Sequence, residues 1–208
     1  MKRATAVPLL ALGMLVTLVT GCSGLKSNAK SEQAFLLRPA PPVAAATPVP
    51  VTLQLPRPVV QPGLDSPRIA LARPGNRLDY YAGARWAGSL SDVVHSLAAQ
   101  TLRASGAFAA VDSDRGGFGA QVVLAITVRR FEAEYGADEN AAPRARVVLE
   151  CTLGDRIERN TLATFDVDTT VQADANRLSS VVAALETAAN QALAQVVERS
   201  SAALAKRP

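Results

Sequence analysis

Three consecutive runs of apolar/polar alternation constrain this chain more than anything else in it. Val122, Leu124, Ile126 and Val128 share one side of an extended chain, as do Val147, Leu149, Cys151 and Leu153, and then Ala163, Phe165, Val167 and Val171. Strand side chains point to opposite faces with period two, so each run reads as a strand with one apolar face. The first run continues as Phe131, Ala133 and Tyr135 in the opposite phase. A one-residue slip inverts every later side chain, so the flip at Arg129-Arg130 predicts a β-bulge. Thr164, Asp166, Asp168 and Thr170 fall on the wet side of the third run, and the three together predict a meander.

A sheet with one apolar face needs helices on that face only. Two are legible. Residues 90–105 place Leu90, Val93, Val94, Leu97, Thr101 and Leu102 at helical spacing, with Ser89 and Asp92 as an S-x-x-D start and Gly106 as the stop. Residues 177–204 carry a longer stripe from Leu178 through Leu185 and Leu193 to Val197. Before the first helix, Ile69-Ala70-Leu71-Ala72 reads as a strand, Pro74-Gly75-Asn76 as its turn, and residues 78–81 as the returning partner. Residues 108–111 add a short strand. The order ββ-α-β-βββ-α predicts an α+β fold, a two-layer sandwich of a mainly antiparallel sheet with two helices on one face.

Nine prolines lie between Pro39 and Pro67. Proline fixes φ and lacks the N–H, so this stretch is neither helix interior nor central strand. With the small polar run before it, residues 22–67 read as an extended, semi-rigid tether, within which 51–55 alternates as a candidate first strand. The folded domain is then expected over 68–205. Residues 1–21 read as a signal peptide: Lys2 and Arg3, then an apolar run to Val19, shorter than the roughly 20 residues a spanning helix needs. Val19-Thr20-Gly21-Cys22 resembles the lipobox of bacterial lipoproteins. The resemblance implies a mature N-terminus at Cys22 bearing a covalent diacylglycerol and an N-linked acyl chain such as palmitate, with no other cofactor. An acylated Cys22 leaves Cys151 no intrachain disulfide, and its place among core residues protects it instead.

Removing Lys2 and Arg3 lowers the formal charge from +4 to +2. Lys and Arg are scattered rather than striped, so no nucleic-acid partner is expected. No arrangement supplies an activated nucleophile, a general base or a metal site, and no catalytic residue is assigned. His95, the single histidine, lies off the apolar stripe of its helix. Asp112-Ser113-Asp114-Arg115-Gly116-Gly117 superficially resembles a calcium loop but lacks the later acidic ligands, and reads as a solvated turn. Arg129, Arg130, Arg144 and Arg146 could meet anionic head groups; pairing with Glu132, Glu134 and Glu150 is the simpler account.

Two segments stand apart. Leu78-Asp79-Tyr80-Tyr81-Ala82-Gly83-Ala84-Arg85-Trp86-Ala87 gathers three of the nine aromatics beside a glycine and an arginine, and Arg130-Phe131-Glu132-Ala133-Glu134-Tyr135 follows later. With the lipobox and the island Phe35-Leu36-Leu37, these segments resemble the ABC-type transport auxiliary lipoprotein family, over Phe35 and then Arg68 to about Val197. The resemblance implies an accessory subunit of an MCE lipid transport system. Its partners would be a periplasmic MCE-domain protein, with an ABC permease and ATPase in the wider complex, and membrane lipid. Ser23 rather than Asp after Cys22 points by the same resemblance to the outer membrane, facing the periplasm, and the analogy leaves room for a homo-oligomer. Tyr80, Tyr81, Arg85, Trp86, Arg130 and Phe131 are the candidates for partner or lipid contact. The alternative is that Tyr80 and Trp86 are core aromatics on a strand and its exit loop, and for Trp86 core packing is the favoured of the two readings. Two other readings stay open: a stand-alone lipid carrier, with room between sheet and helices left by Ala98, Ala99, Ala188 and Ala192, and a structural envelope lipoprotein.

Overall fold

The computed structural model describes residues 32–41, 48–113 and 119–206. Among these the order is β1 (Gln33–Phe35), β2 (Val49–Gln54), β3 (Val59–Val60), β4 (Arg68–Arg73), β5 (Arg77–Trp86), α1 (Leu90–Ala104), β6 (Phe108–Asp112), β7 (Val122–Glu134), β8 (Arg144–Asp155), β9 (Thr161–Gln172) and α2 (Leu178–Ala205). The fold is α+β, as the periodicity requires.

The alternating runs become β7, β8 and β9, consecutive antiparallel neighbours with Val122 opposite Asp155, and Arg144 opposite both Glu134 and Gln172. The register of β7 slips between Val128 and Arg130, where the phase of its apolar residues inverts. The bulge lets Leu124, Ile126 and Val128 before it, and Phe131 and Ala133 after it, all reach one core. Leu149, Cys151 and Leu153 of β8 and Val167 of β9 complete that face. Helix α2 covers it with Leu185, Ala188, Ala192 and Val196 inward, and α1 packs beside it with Leu97, Ala98 and Leu102 buried. Ser89 caps α1 by accepting the Asp92 N–H, and Gly106, at φ +62°, takes the left-handed conformation that ends it.

The other edge of β7 is built piecewise. β2 lies beside Val122 and Val123, β3 beside Thr127 and Val128, and β4 beside Ala133 and Glu134, each running parallel to β7. β5 returns antiparallel to β4, β1 joins β5 in parallel, and β6 flanks β2 in parallel. The sheet is therefore mixed: its long ladders are antiparallel, and its parallel pairings are short.

This flank corrects the tether expected over 22–67. Residues 33–35, 49–54 and 59–60 are strands of the sheet, and Leu53, Leu55 and Leu64 are buried. Prolines do not prevent this, because they fall between the strands or at an irregularity. Pro48, Pro56 and Pro58 bracket β2 and β3, while Pro50 sits where the register with β6 slips between Val49 and Thr52. Arg57 reaches the Ser89 and Ser91 hydroxyls and the Asp92 carboxylate at 2.8–3.1 Å, and Asp65 accepts the Ser91 N–H and O–H. The proline-rich stretch thus ties down the start of α1.

Candidate functional site

The six contact candidates divide into groups with different neighbours. Trp86 and Phe131 belong to the core: they are 1% and 2% exposed, and their rings meet edge to face, with centroids 5.9 Å apart. Two large rings on strands either side of β4, at the junction of the two flanks, are worth more buried than displayed. Trp86 thus takes the core place favoured for it over contact, and Phe131 is corrected from a contact residue to a packing residue. Tyr80 is half-buried; its hydroxyl donates to the Gly63 carbonyl at 2.6 Å, and the Arg68 guanidinium stacks 3.6 Å over its ring. That latch holds residues 61–67 against the sheet. Gly63, at φ +91°, has the Leu78 side chain 3.1 Å from where a Cβ would stand.

Tyr81 begins a second latch. Tyr135 gives its single hydroxyl proton to Asn176 at 2.7 Å, so the 2.9 Å contact between the two tyrosines must be donated by Tyr81. Asn176 passes its own N–H groups to the carbonyls of Glu139 and Asn140. The chain of bonds joins β5, the end of β7, the loop 136–143 and the approach to α2. Burial, reinforced by the bond to Tyr135, holds the Tyr81 phenol above its ordinary pKa.

Arg85 reaches Glu32 at 3.2 Å, just before β1, and donates to the Trp86 carbonyl. Arg130 joins the outward face of the meander. It contacts Glu132 at 2.6 Å and Glu134 at 3.3 Å; Arg144 and Arg146 also approach Glu134, Arg146 binds Asp168 in a fork, and Arg129 pairs with Glu150. The Arg146 guanidinium holds the Asp168 carboxyl below the usual carboxylate range. These arginines pair with carboxylates as the spacing suggested, and most pairs are partly exposed, each worth about 0–1 kcal/mol.

An open cleft of about 390 Å³ lies where this face meets the β4–β5 turn. Arg73, Arg77, Leu78, Arg130, Glu134 and Tyr135 help to line it. Glu139 engages both Arg73 and Arg77, and Arg73 stands 5.5 Å over the Tyr135 ring. Glu139 on Arg73 and Arg77, and Glu132 and Glu134 on Arg130, match these guanidinium groups, so the cleft carries a balanced set of charges.

Sequence reasoning missed the strap. After β1 the chain runs along α2: the Arg38 N–H donates to Glu186 at 2.8 Å, the Ala40 N–H to the Asn190 side chain at 2.8 Å, and Asn190 returns an N–H to the Arg38 carbonyl at 2.9 Å. Phe35 and Leu37 pack on the core while Leu36 is 66% exposed. The only signal was the Phe35-Leu36-Leu37 island together with two polar residues spaced i, i+4 on an otherwise Ala-rich helix.

Of the remaining expectations, His95 is part-buried with its Nε2 3.1 Å from the Leu55 carbonyl. Burial pushes the Cys151 thiol up to about 12. Cys22, the lipobox and residues 114–118 of the glycine-bearing loop lie outside the described residues. Among the described residues, no helix is long and apolar enough to cross a membrane. Ala98, Ala99, Ala188 and Ala192 are all buried within the continuous core.

The fold defines a class: a two-layer α+β domain whose amino-terminal segment is strapped along its carboxy-terminal helix. The chain belongs to the ABC-type transport auxiliary lipoprotein component family, whose model matches residues 35–197. A crystal structure of a protein from Xanthomonas campestris is similar, with TM-score 0.76 and 25% identity over 82% of this chain and 95% of the other. An uncharacterised protein superposes with TM-score 0.64 at 13% identity over 81% and 98%, and a hypothetical protein from Chlamydia trachomatis with 0.52 at 9% over 76% and 99%. At those lower identities the likeness is one of fold. No curated protein matches the chain.

Proposed function

We propose that this chain is a non-enzymatic, outer-membrane-anchored lipoprotein facing the periplasm, and an accessory subunit of an MCE/ABC-type lipid transport system. The observation that carries the reading is the family match over residues 35–197, downstream of Val19-Thr20-Gly21-Cys22. On this reading Cys22 carries the diacylglycerol and the N-acyl chain. Each buried CH₂ adds about 0.8 kcal/mol of membrane affinity, so three acyl chains make release negligible. Anchoring turns the encounter with a neighbouring complex into an effectively intramolecular event. The partners are an MCE-domain periplasmic protein and, through it, the permease and ATPase.

Affinity isolation of the full chain from detergent-solubilised envelopes tests the reading. Recovery of an MCE-domain protein is expected. Repeated recovery of peptidoglycan-binding or outer-membrane assembly proteins instead would favour a structural envelope role.

A further inference from the structure

We propose that the free edge of β9 is a docking site for an extended, basic segment of a partner protein, which joins the sheet as one more strand.

Backbone direction comes first. In an antiparallel pair, successive residues turn their N–H and C=O alternately toward the neighbouring strand and away from it. The Ala173 N–H donates to the Pro143 carbonyl, and the Asp166 carbonyl accepts from Arg199 at 2.8 Å. Odd-numbered residues of β9 therefore face β8, and even-numbered ones face out. The register with β8 runs without a shift from Ala163 to Gln172. Thr164, Asp166, Asp168, Thr170 and Gln172 thus offer both main-chain groups along about 27 Å of edge. Among the described residues, only the Asp166 carbonyl has a partner for them. Neither a proline nor a bulge blunts the stretch. The strands at the other margins, β1 and β6, are much shorter, with three and five residues.

The helix side of β9 is incompletely covered. Val167 is fully buried, and the Thr169 hydroxyl reaches the Ala188 carbonyl of α2. Phe165 and Val171 share that face but are only half-buried, because the sheet stops beside them. An added strand with apolar residues on this side covers both.

The opposite face selects the occupant. Thr164, Asp166, Asp168 and Thr170 stand there in an exposed row. Arg146 forks Asp168, whereas Asp166 has no ion-pair partner among the described residues. Two copies paired about a two-fold axis anywhere from Asp166 to Asp168 set these carboxylates opposite one another, which opposes self-association. A strand with Lys or Arg at that level gains an ion pair instead. The partner segment therefore alternates, apolar toward α2 and basic or hydroxyl-bearing toward solvent. Main-chain bonds supply affinity and the side chains fix register. Arg199 holds the carbonyl that an incoming N–H needs, and so competes with the guest.

The test uses the full chain and a fluorescent peptide of about ten residues in which Val alternates with Lys and Thr. Saturable binding is expected, with slowed amide exchange at Thr164, Asp166, Asp168 and Thr170. Asp166→Lys should weaken binding several-fold and shift the preference to a peptide carrying Glu in place of Lys. Thr170→Pro removes one outward N–H without touching the ladder to β8, so it should also weaken binding several-fold. Arg199→Ala should strengthen it. Each variant is checked by urea unfolding, and Asp166→Lys carries the test if the proline variant does not fold. No saturable binding, slowed exchange confined to other elements, or equal affinity for the two peptides overturns the proposal. Protection of β9 that grows with protein concentration in the absence of peptide overturns it too, and would make a second copy the occupant.

Discussion

The two flanks of β7 are built by different rules. On one side lie β8 and β9, long strands in continuous antiparallel register. On the other, β2, β3 and β4 share the edge in pieces of two paired residues each, separated by prolines and joined in parallel. The meander is held by its continuous ladders and by the apolar face that α2 covers. The patchwork is held by what it buries and by side chains that reach across: Leu53, Leu55 and Leu64 inward, Arg57 and Asp65 onto α1, and Tyr80 onto Gly63. A run of prolines therefore does not mark the edge of a domain. Their spacing decides, and here it leaves gaps just long enough for short strands.

The largest expected effect lies at the junction of the flanks. Phe131→Ala removes the ring against Trp86, and a loss of about 3–5 kcal/mol is expected in denaturant unfolding. Should both flanks respond as one cooperative transition, they share one core; two separate transitions would break the comparison into two folding units. Leu53→Ala addresses the patchwork directly. A loss of about 2–5 kcal/mol is expected for a core strand, whereas a tether residue would give almost none. Asn190→Ala removes both of its bonds to residues 38 and 40, for an expected loss of about 1 kcal/mol and faster amide exchange at Arg38 and Ala40.

Two pH experiments sharpen the comparison further. Tyr81 has a folded pKa raised above 10.0 by burial, so its contribution is complete below pH 10 and declines as pH rises beyond it. Wild-type stability should fall above pH 10 more steeply than that of Tyr81→Phe, measured by urea unfolding. On the meander, Asp168 is held below its ordinary value of 3.8, so its contribution is present above that value and lost as pH falls through the lower folded one. Arg146→Ala should be weaker than wild type by under about 1 kcal/mol near neutrality, and the two should converge in acid.

What could be read beforehand follows the same division. Period-two alternation reports which face a residue takes, and it placed Cys151 in the core and the bulge at Arg129-Arg130. Ser89 and Gly106 bounded α1 because caps are local chemistry. None of these signals carries information about a partner far away in the chain. The strap pairs Arg38 with Asn190 across 152 residues, and neither residue is unusual by itself. Trp86 was legible only as the favoured of two readings, because an aromatic beside an arginine suits a core or a surface and its distant neighbour Phe131 decides. The cleft was equally unreadable, since Arg77 and Arg130 meet through the β4–β7 pairing rather than through any spacing.

The parallel seating of the first strand has a mechanical consequence. A pull delivered at Glu32 acts along β1, so its rungs to β5 bear the load together in shear instead of parting one after another. The hydrogen-bonded clip on the carboxy-terminal helix shares that load. Tension entering at the first strand is thus spread into the helix that covers the sheet.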